Sequence, residues 1–265
     1  MPDHKPSAGS FMSDSFHFAF ITDSQIGCNS PFGLNARVSD RSRLESAIGY
    51  INDDENEIDF AIFGGDLVNR FDSAEELDIV MECLGMLERP YYGVSGNHDE
   101  GGKHWLEPEV STESPYFDRG APAGFSFTHE GASFLGLNAL HLRGDLDEDL
   151  QQAEWEVMKQ HFAAVDAAAT HRFVVMHWPL LVQQPDEEET YWNMENRHEL
   201  IAFFKANNVS CVLTGHYHHD IVGTWHGIPL LGSVGTSQVF HGPQSCAFEH
   251  VTVFPDGWMS RRVDV

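Results

Sequence analysis

Five short blocks of this chain share one layout, in which an apolar run passes, usually through glycine or another small residue, into Asp, Asn or His. They are Asp23-Ser24-Gln25, Gly65-Asp66, Gly96-Asn97-His98-Asp99, His177 and Gly215-His216-Tyr217-His218. Oxygen and imidazole donors of these types bind divalent cations, and the strand ends of a parallel sheet carry them to one rim. Two cations held about 3.5–4 Å apart need a bridging carboxylate, and Asp66 is the expected bridge. Asp23, Gln25 and His218 would complete the ligands of one ion, and Asn97, His177 and His216 those of the other. Such a pair acidifies water and polarises a phosphoryl oxygen for in-line attack, and His98 would protonate the leaving oxygen. One block alone would read as a turn. Five at successive strand ends point to a metal site.

The blocks resemble the signature of the calcineurin-like metallophosphoesterases, dinuclear metal hydrolases, in family order from residue 23 to residue 218. The Gly-Asn-His-Asp and Gly-His-Tyr-His blocks are the most specific. The resemblance implies the same ligand roles, makes His98 the general acid with Asp99 orienting it, and implies a four-layer αββα sandwich of two mixed sheets flanked by helices. Gln25 stands where most members carry His, and its amide oxygen is a weaker, harder donor than imidazole. A subset with Asp-x-Gln, including proteins described as Ser/Thr phosphatases, is the one this chain resembles. Gly65-Asp66-Leu67-Val68-Asn69-Arg70 approaches a run found in the large phosphoprotein phosphatases, with Asn69 for Asp and Phe71 for Gly. On that likeness Arg70 is a candidate phosphate contact.

The expected reaction is hydrolysis of a phosphate monoester, on a phosphoprotein or a small ester. Diester hydrolysis, for example of a cyclic nucleotide, needs the same metals, and the residues do not separate the two. A scaffold that kept the fold and lost the chemistry is the weaker alternative, because His98 and all seven ligand positions hold competent donors. Ligation by nitrogen and oxygen without thiolate admits Mn, Fe and Zn alike.

A length of 265 residues suits one α/β domain. Residues 1–14 read as a loose extension ahead of a domain spanning 15–265. The longest apolar runs are strand-sized, well short of the ~20 residues of a membrane span, and Cys28, Cys83, Cys211 and Cys246 lie too far apart for a disulfide framework or a thiolate metal site. A soluble cytoplasmic protein is the expectation. The formal charge of −26 argues against nucleic acid or an anionic membrane as partner, since both need cationic patches. It also raises adaptation to high salt. Nothing in the residues fixes an oligomeric state.

Strand-like segments Phe16–Thr22, Ile58–Phe63 and Tyr91–Ser95 alternate with two helical stripes, Leu44-Ala47-Ile48-Ile51 and Leu77-Val80-Leu84-Leu87. Asp40 is the expected cap of the first helix. Ser73 with Glu76 forms a capping box for the second, which Pro90 would stop. Past residue 100, facing strands 125–128 and 132–138 open a second sheet. Helices near 147–163 and 196–206 lead into strands 172–176 and 209–213, and the β segments of the tail are expected to complete that second sheet. Tyr191 and Trp192 follow the loop that bears His177 and the acidic run from Asp186. They are candidate walls of a substrate pocket. Among the remaining histidines, only His219 and His241 lie in loops that could reach the rim.

Overall fold

The computed structural model describes residues 15–29, 38–100, 115–143, 147–188, 191–240 and 244–265; the expected extension (1–14) and His241 lie outside them. In chain order the first half gives β1 (Phe16–Ile21), α1 (Asp40–Asn52), β2 (Phe60–Phe63), α2 (Ala74–Leu84), β3 (Tyr91–Gly93), α3 (Pro115–Asp118), β4 (Phe125–His129) and β5 (Ala132–Leu137). The second half gives α4 (Ala139–Leu142), α5 (Glu148–Ala164), β6 (His171–Met176), α6 (Arg197–Ala206), β7 (Cys211–Thr214), β8 (Ile221–Trp225), β9 (Ile228–Gly232), β10 (Ala247–Phe254) and β11 (Gly257–Asp264).

Side chains alternate across a strand, and β1 uses both of its faces. Phe16, Phe18 and Phe20 point into one apolar cluster with Phe60, Phe134 and Phe173, while Ala19 and Ile21 point into another with Leu44, Ile48, Leu77 and Val80 of α1 and α2. The first cluster is the seam between two sheets, where Phe18 stacks on Phe60 at 5.5 Å and meets Phe134 edge-on at 5.4 Å. A third cluster packs β5 and β6 against α5 and α6. These layers make the expected αββα sandwich.

The first sheet runs β11-β10-β1-β2-β3 and the second β4-β5-β6-β7-β9-β8. β1, β2 and β3 are parallel, as are β5, β6, β7 and β9, so two sets of carboxyl ends face one rim. The tail departs from expectation. β8 and β9 do extend the second sheet, but β10 returns to pair antiparallel with β1, and β11 follows it. Without that return, the hydrogen-bonding groups along one edge of β1 would lack partners.

Helix ends also differ from the expectation. Ser39, not Asp40, caps α1, its side chain accepting from the Ser42 amide. Asp40 is instead buried within the helix and paired with Arg43 at 2.5 Å. Ser73 caps α2 as expected, but that helix ends at Leu84, and Leu87 packs on the same cluster from beyond it. Glu76 spends its carboxylate on the Arg70 amide at 2.7 Å.

Candidate metal centre

All seven expected ligands are buried at that rim. The loops after β1 and β2 lie side by side, with the Asp23, Gln25 and Ile26 amides donating to the Gly65, Asp66 and Leu67 carbonyls at 3.0, 2.8 and 3.0 Å. Two glycines permit the close approach. A Cβ on Gly96 would overlap Asp66, and one on Gly215 would overlap Thr22 and Asp23. Five of the seven expected ligands, Asp23, Gln25, Asp66, His216 and His218, hold a left-handed backbone with φ between 34° and 67°. Such conformations cost side-chain-bearing residues of order 1–3 kcal/mol each and collect at functional sites.

Asp66, His177 and His216 bring one donor atom each within 4.8 Å of one another. Asp66 Oδ1 accepts from the His98 amide at 2.8 Å. Its other oxygen lies 3.1 Å from His177 Nε2 and 3.5 Å from Gln25 Nε2, facing both halves of the ligand set. Asp23 Oδ1 is 3.3 Å from His218 Nε2. The imidazoles of His177, His216 and His218 each spend one nitrogen on a backbone carbonyl. His177 Nδ1 donates to Gly64 at 2.7 Å, His218 Nδ1 to Gln238 at 3.1 Å and His216 Nε2 to Tyr191 at 3.0 Å. A carbonyl only accepts, so these contacts hold a proton on each outward nitrogen and leave the inward nitrogen to face the pocket.

The donor set fits divalent cations by a further observation. Asn97 Oδ1 and His216 Nδ1 are buried without a hydrogen-bond partner, and an acceptor in that condition is costly unless something charged meets it. The electrostatics agree. Burial works against charge on His177, yet Asp66 and Asp23 together raise it to about 9. Burial would raise Asp66, but the fields of His177, His98 and His216 hold it below the usual carboxylate range. Burial and the neighbouring His177 push His216 well down, keeping it a neutral donor. The pocket is a sink for positive charge.

The remaining expected residues divide. His98 is half-buried at the rim with Nδ1 donating to the Asn69 carbonyl at 2.7 Å. That carbonyl, rather than Asp99, is the partner that orients the ring. Asp99 accepts from the Leu67, Val68 and Gly96 amides at 2.9, 3.2 and 2.9 Å, tying the second and third motif loops together. Arg70 is not drawn into the cluster; its guanidinium, 65% exposed, forms a fork with Asp72. Gln25 enters the site with its oxygen turned to Gln238 Nε2 at 2.7 Å and Ser237 Oγ at 3.3 Å. Tyr191 directs its hydroxyl at Asn97, and the Trp192 ring lies 5.3 Å from that of His216. His219 donates to the carbonyl of Asp220. Cys28 stays beside the first motif through its amide on the Gln25 carbonyl.

Sequence reasoning missed the loop from Ser233 to Gln238, whose Thr236 and Ser237 amides donate to the Thr22 and Asp23 carbonyls at 3.1 and 3.0 Å. The run of small residues ahead of Gln238 was its only signal. It also missed Arg43, fully buried on α1, which donates to the Thr236 and Ser237 carbonyls at 2.5 and 2.6 Å and so braces that loop.

Carboxylate, amide and imidazole donors gathered where two packed sheets present their parallel strand ends define a metal-binding α/β sandwich. The profile of the calcineurin-like phosphoesterases matches residues 16–220, and the chain belongs to that family. It is similar to serine/threonine-protein phosphatase CPPED1 of Rattus norvegicus, 29% identical over 200 residues, and to that of Danio rerio, 27% identical over 240 residues. The aligned regions cover 71% and 83% of this chain; the chain spans 62% of the rat relative and 76% of the zebrafish one. A dimetal phosphatase from Danio rerio has the same fold, with a TM-score of 0.63 at 15% identity, covering 94% of this chain and 96% of that one.

Proposed function

We propose that the chain is a metal-dependent phosphohydrolase that cleaves phosphate monoesters, with phosphoserine or phosphothreonine in a protein as the substrate class. The observation that carries the reading is the convergence of Asp66, His177 and His216, one donor atom each within 4.8 Å of one another, beside the buried Asn97 Oδ1 and His216 Nδ1, which lack hydrogen-bond partners. The names of the rat and zebrafish relatives support the substrate class. In this reading Asp23, Gln25, Asp66 and His218 hold one divalent ion and Asp66, Asn97, His177 and His216 the other, the ions being Mn, Fe or Zn. When bound, such a pair supplies Lewis-acid polarisation of the phosphoryl group and a nucleophile from water at neutral pH.

The chain's own residues supply the rest. Asp66 is anchored by the His98 amide through one oxygen and offers the other to both halves of the site. With its Nδ1–H held by the Asn69 carbonyl, His98 keeps Nε2 to carry a proton to the leaving oxygen. The Gln25 oxygen must exchange Gln238 for a cation, which fits a looser first position. A low-charge leaving group suits the chain's acidic surface, and a cytoplasmic setting is part of the same reading. Assays in parallel on p-nitrophenyl phosphate, bis-p-nitrophenyl phosphate and a phosphoserine peptide test it: the monoester and the peptide should turn over faster, and a strong preference for the diester would reverse the proposal.

A further inference from the structure

Tyr191 touches ligands from two motifs and lies in the loop that leaves a third. Its hydroxyl accepts from Asn97 Nδ2 at 2.8 Å, and its carbonyl accepts from His216 Nε2 at 3.0 Å. The other end of each side chain, Asn97 Oδ1 and His216 Nδ1, is a buried acceptor without a hydrogen-bond partner. The Tyr191 ring packs 4.8 Å from that of His216. The residue is itself fixed. Trp178 Nε1 donates to the same carbonyl at 2.9 Å, and Arg143, lying 5.5 Å over the Trp178 ring, reaches the Tyr191 and Asn193 carbonyls.

An amide presents either a donor or an acceptor inward, depending on which end its neighbours take. An imidazole likewise offers a lone pair on one nitrogen only when the other carries the proton. We infer that Tyr191 is a positioning residue that sets both choices for the second cation position, its phenol holding the Asn97 amide nitrogen outward and its carbonyl holding the His216 proton outward. The inference rests on the metal reading above and deepens it. Asp23, Gln25 and His218 receive none of these contacts: Gln25 and His218 turn to Ser237 and Gln238, and the Asp23 carboxylate accepts from the Thr22 hydroxyl and the His216 amide. The effect of Tyr191 is therefore local to one half of the site.

The test is calorimetric titration of metal-stripped protein with Mn²⁺ alone, wild type against Tyr191→Phe, with the metal-free melting temperature measured beside it. Loss of an outer hydrogen bond to a metal ligand weakens affinity by about 10–100-fold. That loss is expected for one equivalent of Mn²⁺, with the other within about threefold of wild type and the metal-free melting temperature unchanged. Two equivalents bound by Tyr191→Phe as tightly as by wild type would overturn the assignment while leaving the metal reading intact. Equal weakening of both equivalents, or a lowered metal-free melting temperature, would make Tyr191 a packing residue and overturn it too. A wild type that takes up fewer than two equivalents would overturn the metal reading itself, and this inference with it.

Discussion

His98 and Asn69 show how a chemical role is divided between a side chain and a backbone. The Asn69 carbonyl accepts from Nδ1, so the ring stands in one orientation with its second nitrogen free for proton transfer. His98 contributes no ring atom to the expected ligand set. Its replacement by Ala should leave the metal content of the purified protein intact and lower turnover by about 10²–10⁴, the usual share of general acid catalysis. Unchanged turnover on p-nitrophenyl phosphate would remove it from the reaction. The types of donor at these positions were legible in the chain, because a carboxylate or an imidazole is what it is wherever it lies. The partner of His98 was not. The motif pointed to Asp99, three backbone amides claim that carboxylate, and the ring's acceptor lies 29 residues away.

Two buried groups, Arg43 on α1 and Glu100 in the loop after β3, brace the elements that carry the site. Arg43 holds the 236–237 carbonyls and pairs with Asp40. Its replacement by Ala leaves Asp40 an uncompensated buried charge and should cost about 3–5 kcal/mol, read from urea unfolding. A loss below ~1 kcal/mol would show that the α1 brace is dispensable, given how little exposed pairs contribute. Glu100 bonds Ser95 and Asn138, joining the loop after β3 to the cap of α4. Burial raises its carboxyl from 4.5 to about 7, its two hydrogen-bond partners opposing. The folded protein therefore holds this proton to a higher pH than the unfolded chain, and stability falls as pH rises from 4.5 towards 7 and is then level. The loss is on the order of 3 kcal/mol. Glu100→Gln should lack this component, so that its stability relative to wild type improves between pH 5 and pH 8. Parallel denaturation curves at the two pH values would expose a constant difference instead.

Across the whole molecule, 41 acidic residues face 15 basic ones. Ion pairs such as Arg41–Glu45 and Arg119–Asp78 use some of the basic residues locally, which leaves a large net repulsion over the surface. Salt screens such repulsion within about 10 Å at 0.1 M and about 3 Å at 1 M. The melting temperature should therefore rise between 0.05 M and 1 M KCl, and a flat profile would count against a surface adapted to salt. The strand-like segments alternating with the helical stripes of α1 and α2 pointed to sheet packed against helix from local sequence alone, since an apolar stripe must be buried against another element. The order of the motifs likewise determined the donors, their number and the rim they share. Tertiary structure decided the return of β10 and β11 to the first sheet, the left-handed backbone at five of the expected ligands and the atom each of those residues turns inward. Those outcomes depend on hydrogen bonds between distant segments, from Tyr191 to His216 across 25 residues and from Gln25 to Gln238 across 213. No local pattern encodes such a bond, because it forms only after packing has brought the segments together.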